Sequence, residues 1–178
     1  MAGRDTPPHS LVSVDVAQAF CLRAAATPPG AFVEVGVYHG GTAWHLGKVA
    51  EEQGRPLYLY DTYTGMPFSN PIDSHKVGDF SDTTIEEVIE AIPYGTCVAG
   101  IFPRSALSMG PIAFVHLDVD QYRSYKEALE YFEPRMVKGG VIWCDDHPVL
   151  PSAALAINEF LRRGTAQLEL AEKAYLTF

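Results

Sequence analysis

"IAFVHLDVDQYRSYKEALEYFEPRMVKGGVIWCDDH" (residues 112–147) decides the fold. Its opening, "IAFVHLD", is a short apolar run of the kind that forms a buried strand. "YRSYKEALEYFEPRM" follows, and Tyr122, Tyr125, Leu129 and Phe132 can share one helical face. "GGVIWCD" is a second apolar run. Both strand runs end in acid: Asp118 with Asp120, then Asp145 with Asp146. A strand, a helix and another strand in succession are the unit of a parallel sheet.

The same alternation extends outward. "SLVSVDVAQAFCLRAAAT" (10–27) reads as a helix stopped by "PPG", "AFVEVG" (31–36) as a strand, and "GGTAWHLGKVAEEQG" (40–54) as a helix that Gly54 ends. "PLYLYD" (56–61) is a strand. The stretch 62–82 is rich in Gly, Pro, Asn, Asp and Ser, so it is a long loop, and loops of that length in a domain are usually functional. "DTTIEEVIEAI" (82–92) starts another helix, with Asp82 or Thr83 as cap and Glu86 or Glu87 closing a capping box. "TCVAGIF" (96–102) is a strand. Beyond residue 147, "PSAALAINEFLRR" is a helix ended by Gly164, and "QLELAE" and "AYLTF" form a closing hairpin across a short link. The pattern predicts an α/β fold in one domain, residues 1–178. It has an N-terminal helical segment (1–29), a mainly parallel sheet covered on both faces and a C-terminal antiparallel hairpin.

Composition narrows the function. The 178 residues are 47% hydrophobic and 20% charged, as in a soluble globular protein, and the net charge is −9. An acidic chain without clustered Lys and Arg does not offer a nucleic-acid surface. No apolar run approaches a membrane span, and the N-terminus lacks the charged-then-apolar pattern of a secretory signal. Cys21, Cys97 and Cys144 are scattered and odd in number, which predicts reduced, buried thiols and a cytoplasmic location.

In parallel sheets, ligands sit beyond the C-terminal ends of the strands. Gly36, Asp61, Asp118 and Asp145 each end a predicted strand, so they should converge. "EVGVYHGGT" (34–42) places Gly36, Gly40 and Gly41 between strand and helix, where the backbone can bend around a ligand. Tyr38 occupies the place of the second glycine of G-x-G-x-x-G, which favours a ligand without a pyrophosphate. Asp61 is positioned to accept hydrogen bonds from a ribose. The two features together indicate a nucleoside-bearing cofactor, either NAD or S-adenosylmethionine.

Asp118 and Asp145 should lie on neighbouring strands, about 4.8 Å apart, with Asp146 adjacent. Three such carboxylates repel one another, and a divalent cation removes that cost. All-oxygen ligands favour Mg²⁺, Ca²⁺ or Mn²⁺ over zinc.

"FVEVGVYHGGTAWHL", "YLYDTYTGMP", "VGDFSDTTIEEV" and "AFVHLDVDQYRSYKEALEYFEPRMVKGGVIWCDDH" together resemble the macrocin-type O-methyltransferases, from about Phe32 to His147. These are S-adenosylmethionine- and Mg²⁺-dependent enzymes that methylate sugar hydroxyls in antibiotic biosynthesis. The resemblance implies a Rossmann-like class I methyltransferase fold. It implies Asp118, Asp145 and Asp146 as metal ligands and Asp120 as general base. It places the cofactor on Glu34, Gly36 and Asp61, and His39 and Gly40 belong to the same turn. Two departures stand out: the family's extra N-terminal helices and lid segments are missing or reduced, and His147 stands where the family usually has an aromatic residue.

The expected function is therefore methyl transfer to a hydroxyl of a small molecule, a sugar or vicinal diol. His147 is the histidine nearest the proposed metal, and a catalytic or substrate contact there competes with a structural role. His116, mid-strand among apolar neighbours, reads as a core residue. His75, in the long loop, is an alternative base. Two other readings stay open: an NAD-dependent oxidoreductase, and a non-catalytic cofactor-binding module without the lid. A neighbouring subunit could supply the missing cover, so a homo-oligomer stays open too.

Overall fold

The computed structural model describes residues 6–92, 94–170 and 173–178. In chain order the elements are α1 (Val14–Ala25), β1 (Ala31–Val35), α2 (Gly41–Glu52), β2 (Leu57–Asp61), α3 (Ile85–Ala91), β3 (Thr96–Ala99), β4 (Ile112–Leu117), α4 (Tyr122–Phe132), β5 (Met136–Cys144), α5 (Pro151–Leu161), β6 (Gln167–Leu170) and β7 (Ala174–Thr177). The strands form one seven-stranded sheet in the order β3-β2-β1-β4-β5-β7-β6. β1 to β5 are parallel, while β7 runs antiparallel to β5 and β6 antiparallel to β7. This is the Rossmann-like methyltransferase architecture with its antiparallel hairpin.

The central strands are apolar because both sheet faces are covered. β1 and β4 are buried at every position. On one face, Phe20 of α1, Trp44 and Leu46 of α2 and Val88 of α3 pack against Phe32, Phe114 and Trp143. On the other, Tyr125, Leu129 and Phe132 of α4 and Ile157 and Phe160 of α5 pack against Val115, Leu117 and Ile142. The edge strand β6 is mostly exposed, and β3 has exposed ends and a half-buried middle.

Several boundaries differ from expectation. α1 begins at Val14 because the Ser13 hydroxyl caps it, accepting the Val16 N–H. The cap of α3 is Thr84, which accepts the Glu87 N–H while the Glu87 carboxylate accepts the Thr84 N–H. Asp82 and Thr83, the expected caps, bind Tyr38 instead. β3 stops at Ala99, where Gly100 turns left-handed at φ +134°. β5 starts at Met136, ahead of the glycine pair, through an irregular register against Ile112. Cys144 is buried, but Cys21 and Cys97 are only half-buried; all three are free.

The strand order reverses between β1 and β4, which opens a crevice at their C-terminal ends. The Asp118 N–H donates to the Val35 carbonyl at 3.0 Å and fixes the two tips side by side.

Candidate active site

A cavity of about 380 Å³ fills that crevice. Gly36, Tyr38 and Asp61 line it from the β1–β2 side and Asp118, Asp120 and Asp146 from the side of β4 and β5, with Gly36 and Asp118 adjacent where the two meet. Its volume lies in the range of small-molecule sites.

The first side is built by β1 and β2. Gly36 has φ +91°, and a β-carbon there would lie 1.7 Å from the Asp118 carbonyl oxygen. Only glycine lets these two strand tips meet. Asp61, the last residue of β2, accepts the N–H groups of Val37 at 2.8 Å and Tyr38 at 2.9 Å on one oxygen, and that of Tyr63 at 2.8 Å on the other. A carboxylate offers about four lone-pair sites, so one acceptor position is left for a ligand hydroxyl. Tyr38, at φ +52°, extends its hydroxyl to Asp82 at 3.0 Å. The N-terminus of α2 faces the same space through Gly41 and Thr42.

Other residues expected on this side lie around the cavity rather than in it. Glu34 is fully buried beneath the turn; its Oε1 accepts the Thr42 hydroxyl at 2.5 Å and lies 3.1 Å from His116 Nδ1. Gly40 caps α2 at φ +88° and abuts the Ile92 side chain. His39 packs on the Tyr38 ring at 4.1 Å, with Nε2 3.7 Å from Asp82. None of the three is in the cavity wall.

The acidic side gathers Asp118, Asp120 and Asp146, each with an oxygen within 4.8 Å of the others. This trio differs from the expected ligand set, with Asp120 in place of Asp145. Asp120 sits in the left-handed region at φ +52° and donates its N–H to Asp146 Oδ2 at 3.0 Å. The Ser152 hydroxyl fixes the Asp120 carbonyl at 2.5 Å. Asp145 lines the cavity, but its Oδ2 is 3.0 Å from Lys173 Nζ and its Oδ1 is 3.9 Å from His116 Nε2. Lys173 also donates to the Asp145 carbonyl at 2.7 Å.

Electrostatics separates these carboxyls. Burial and the charges of Asp146 and Asp145 push Asp118 well above the usual carboxylate range. Burial and Asp146 push Asp120 up to about 8. Burial also raises Asp146, against the opposing pull of the Asp120 N–H and the Tyr125 hydroxyl. For Asp145, burial acts upward, but the facing His116 ring and Lys173 hold it below its ordinary value. Burial alone would lower His116; its contacts with Asp145 and Glu34 outweigh that and bring it to about 10. His116 also stacks on Phe20, with centroids 4.7 Å apart. It is a core residue, as expected, and also the cation behind Asp145.

Crowded, upshifted carboxylates fit a hard divalent cation, because their oxygens are the donors such ions take and their repulsion is what an ion relieves. The glycine bend and Asp61 fit a nucleoside-bearing cofactor. His147 is buried outside the cavity wall, its Nδ1 without a hydrogen-bond partner and its basicity lowered by burial. His75, from the loop, does reach the cavity, with Nε2 3.6 Å from Asp120 Oδ1. Sequence reasoning missed Lys173 and Gln121. Their signals, one cation in a hairpin link and one amide beside an acidic motif, carry no spacing pattern.

Comparisons with known proteins agree with this geometry. The family described as "Methyltransferase domain" matches residues 33–147. A curated relative from Streptomyces olivaceus, 8-demethyl-8-(2,3-dimethoxy-alpha-L-rhamnosyl)-tetracenomycin-C 4'-O-methyltransferase, is 28% identical, over 84% of this chain and 67% of its own length. The solved structure of the O-methyltransferase NovP superposes with a TM-score of 0.80 at 18% identity, covering 95% of this chain and 81% of that one. An O-methyltransferase from Bacillus cereus in complex with SAH superposes with a TM-score of 0.58 at 14% identity, covering 94% and 82%. The two structures share the fold with this chain.

Proposed function

Because the chain belongs to the methyltransferase-domain family, we propose that it is an S-adenosylmethionine-dependent O-methyltransferase of the macrocin type. Its acceptor in this reading is a sugar or vicinal-diol hydroxyl of a small molecule. One observation carries the proposal: the Asp118, Asp120 and Asp146 carboxylates meet in the same cavity as the Gly36 bend and Asp61. The name of the Streptomyces olivaceus relative, which specifies a 4'-O-methyl transfer on a rhamnosylated tetracenomycin, supports the sugar assignment.

Gly36, Tyr38 and Asp61 bind the cofactor in this reading, and Asp118 and Asp146 hold a divalent cation. When bound, S-adenosylmethionine supplies a methyl group on a good leaving group, and Mg²⁺ would make a hydroxyl more acidic. The residues of the chain then have the remaining task, because an alcohol is barely ionised at neutral pH. Asp120 would accept the hydroxyl proton, because the charge of a cation held beside it favours the ionised carboxylate over the protonated form that burial and Asp146 otherwise favour. The Ser152 and Asp146 contacts hold Asp120 in place for that transfer. The loop 62–82 supplies the acceptor-side wall through Met66, Pro67, His75 and Phe80.

A thermal-shift screen followed by a transfer assay tests the reading. S-adenosylhomocysteine should raise the melting temperature, since ligand at 100 times its Kd adds about 2.7 kcal/mol to the native state. NADH should not. Radiolabel from S-adenosylmethionine should then pass to phenyl α-L-rhamnoside or catechol with Mg²⁺ and not with EDTA. Stabilisation by NADH alone would make the chain an oxidoreductase. Binding without transfer to either acceptor would leave a non-catalytic module.

A further inference from the structure

The loop between β2 and α3 is fastened to the first turn of α4 by three consecutive residues. Gln121 is completely buried, although glutamine is usually exposed. Its side-chain amide pairs with the main chain of one loop residue: Oε1 accepts the Phe68 N–H at 2.9 Å, and Nε2 donates to the Phe68 carbonyl at 2.5 Å. Tyr122 donates its N–H to Asp73 Oδ1 at 2.9 Å. The Arg123 guanidinium lies over the Phe68 ring, 4.2 Å from its centroid.

The arrangement exchanges needs on both sides. α4 has no side-chain cap of its own, because Gln121 is at the cap position and its amide is engaged elsewhere. Asp73 provides the missing acceptor from 49 positions away. The loop in turn has few regular hydrogen bonds, and Phe68 finds both of its main-chain partners on Gln121. Two neutral hydrogen bonds made by a buried amide to a half-buried loop residue resist exchange with solvent better than exposed ones. The Tyr38–Asp82 contact at the other end of the loop is exposed. The loop is therefore held near Phe68 by α4 and, at its far end, by the buried Thr83 hydroxyl on the Tyr38 carbonyl.

Position gives the latch its meaning. Gln121 directly follows Asp120, and Phe68 directly follows Met66 and Pro67, which line the cavity. His75 and Phe80, farther along the same loop, also face the cavity and contact each other with ring centroids 4.9 Å apart. We infer that Gln121 is a positioning residue: it sets the acceptor-side wall of the cavity relative to Asp120. It acts on the hydroxyl acceptor and not on the cofactor, whose side of the cavity is built by β1 and β2. The inference rests on the methyltransferase reading for the identity of the acceptor.

The test uses Gln121→Leu, which removes both amide bonds, and Gln121→Glu, which keeps the shape and the acceptor but loses the donor to the Phe68 carbonyl. Hydrogen exchange of the 66–80 segment should quicken about tenfold in Gln121→Leu and at least as much in Gln121→Glu, whose buried carboxylate oxygen would face the Phe68 carbonyl. With phenyl α-L-rhamnoside or catechol as acceptor, KM should rise about tenfold and kcat change less. The S-adenosylhomocysteine Kd, read by calorimetry, should stay within about threefold of wild type, and a similar Kd also certifies the fold. Unchanged exchange in 66–80, or cofactor affinity falling in step with acceptor KM, overturns the inference. A wild-type protein that methylates neither acceptor defeats the acceptor reading instead, and the exchange and calorimetry arms still decide whether Gln121 holds the loop.

Discussion

The Asp120 N–H donates to Asp146 Oδ2 at 3.0 Å, joining the two acidic motifs across 26 positions of sequence. The bond ties the residue assigned to proton transfer to one assigned to the cation. The two roles should separate on mutation. Asp118→Asn and Asp146→Asn should each weaken Mn²⁺ binding by at least about tenfold, measured by calorimetry. Asp120→Asn should spare most of that affinity and slow methyl transfer by about a hundredfold or more. An Asp120→Asn protein that loses the cation as fully as Asp146→Asn would move Asp120 into the ligand set.

Stability without a cation should fall as pH rises. Asp120 has a native value of about 8 against an ordinary 3.8, so its protonated form favours the fold. That contribution is complete below the ordinary value and is lost as pH rises through about 8. His116 shifts from 6.5 to about 10, so its contribution is complete below 6.5 and is lost as pH climbs through 10. Asp145 is lowered, and its contribution fades only in acid below its ordinary value of 3.8. The melting temperature in EDTA should therefore decline from about pH 5 to about pH 9, and Mg²⁺ should flatten the decline. A melting temperature that climbs across this window would contradict the placement of these charges.

How much of this was legible in the sequence depends on range. The strand-and-helix alternation could be read because buried strands and amphipathic helices write their periods locally. The acidic motifs could be read because "DVD" and "DD" close apolar runs, where charge is costly and conspicuous. The sequence points to Asp82 or Thr83 as the cap of α3, but the cap is Thr84, because tertiary contacts to Tyr38 claim the other two. The contact of Asp145 with Lys173, 28 positions away, has no local signal in the sequence. Gln121 pairs with Phe68 across 53 positions, a contact that neither residue's neighbours encode.

Gly36→Ala should be among the most damaging substitutions of the turn. The new methyl would sit 1.7 Å from the Asp118 carbonyl oxygen, in a backbone conformation at φ +91° that disfavours side chains. Either the β1 and β4 tips separate or the turn refolds. A loss of about 3 kcal/mol or more is expected in urea unfolding. A loss below about 1 kcal/mol would mean the strand tips are free to part.

Lys173 gives the C-terminal hairpin a part in the site. Its ammonium group bonds both the carboxylate and the carbonyl of Asp145, which is only 8% exposed. Lys173→Met leaves that carboxylate with the His116 ring as its facing cation, so a loss of about 2 kcal/mol is expected. Lys173→Arg should recover part of it. Equal stability of the methionine variant and wild type, by urea unfolding at neutral pH, would show that the pair contributes nothing net.

In the proposed reading, Asp61 serves both the fold and the cofactor. Three of its roughly four acceptor positions hold the N–H groups of Val37, Tyr38 and Tyr63, which leaves one for a ribose hydroxyl rather than two. In Asp61→Asn, one oxygen can still accept Val37 and Tyr38, but the new NH₂ meets the Tyr63 N–H and can no longer accept. Stability should drop by about 1–3 kcal/mol, the cost of a stranded donor. The remaining ligand position disappears with the same substitution. S-adenosylhomocysteine should therefore bind at least about tenfold more weakly, the worth of a hydrogen bond to a charged group. Calorimetry on the folded variant separates the two effects. Wild-type affinity in a destabilised Asp61→Asn protein would restrict Asp61 to shaping the turn and would transfer ribose recognition to another part of the cavity wall.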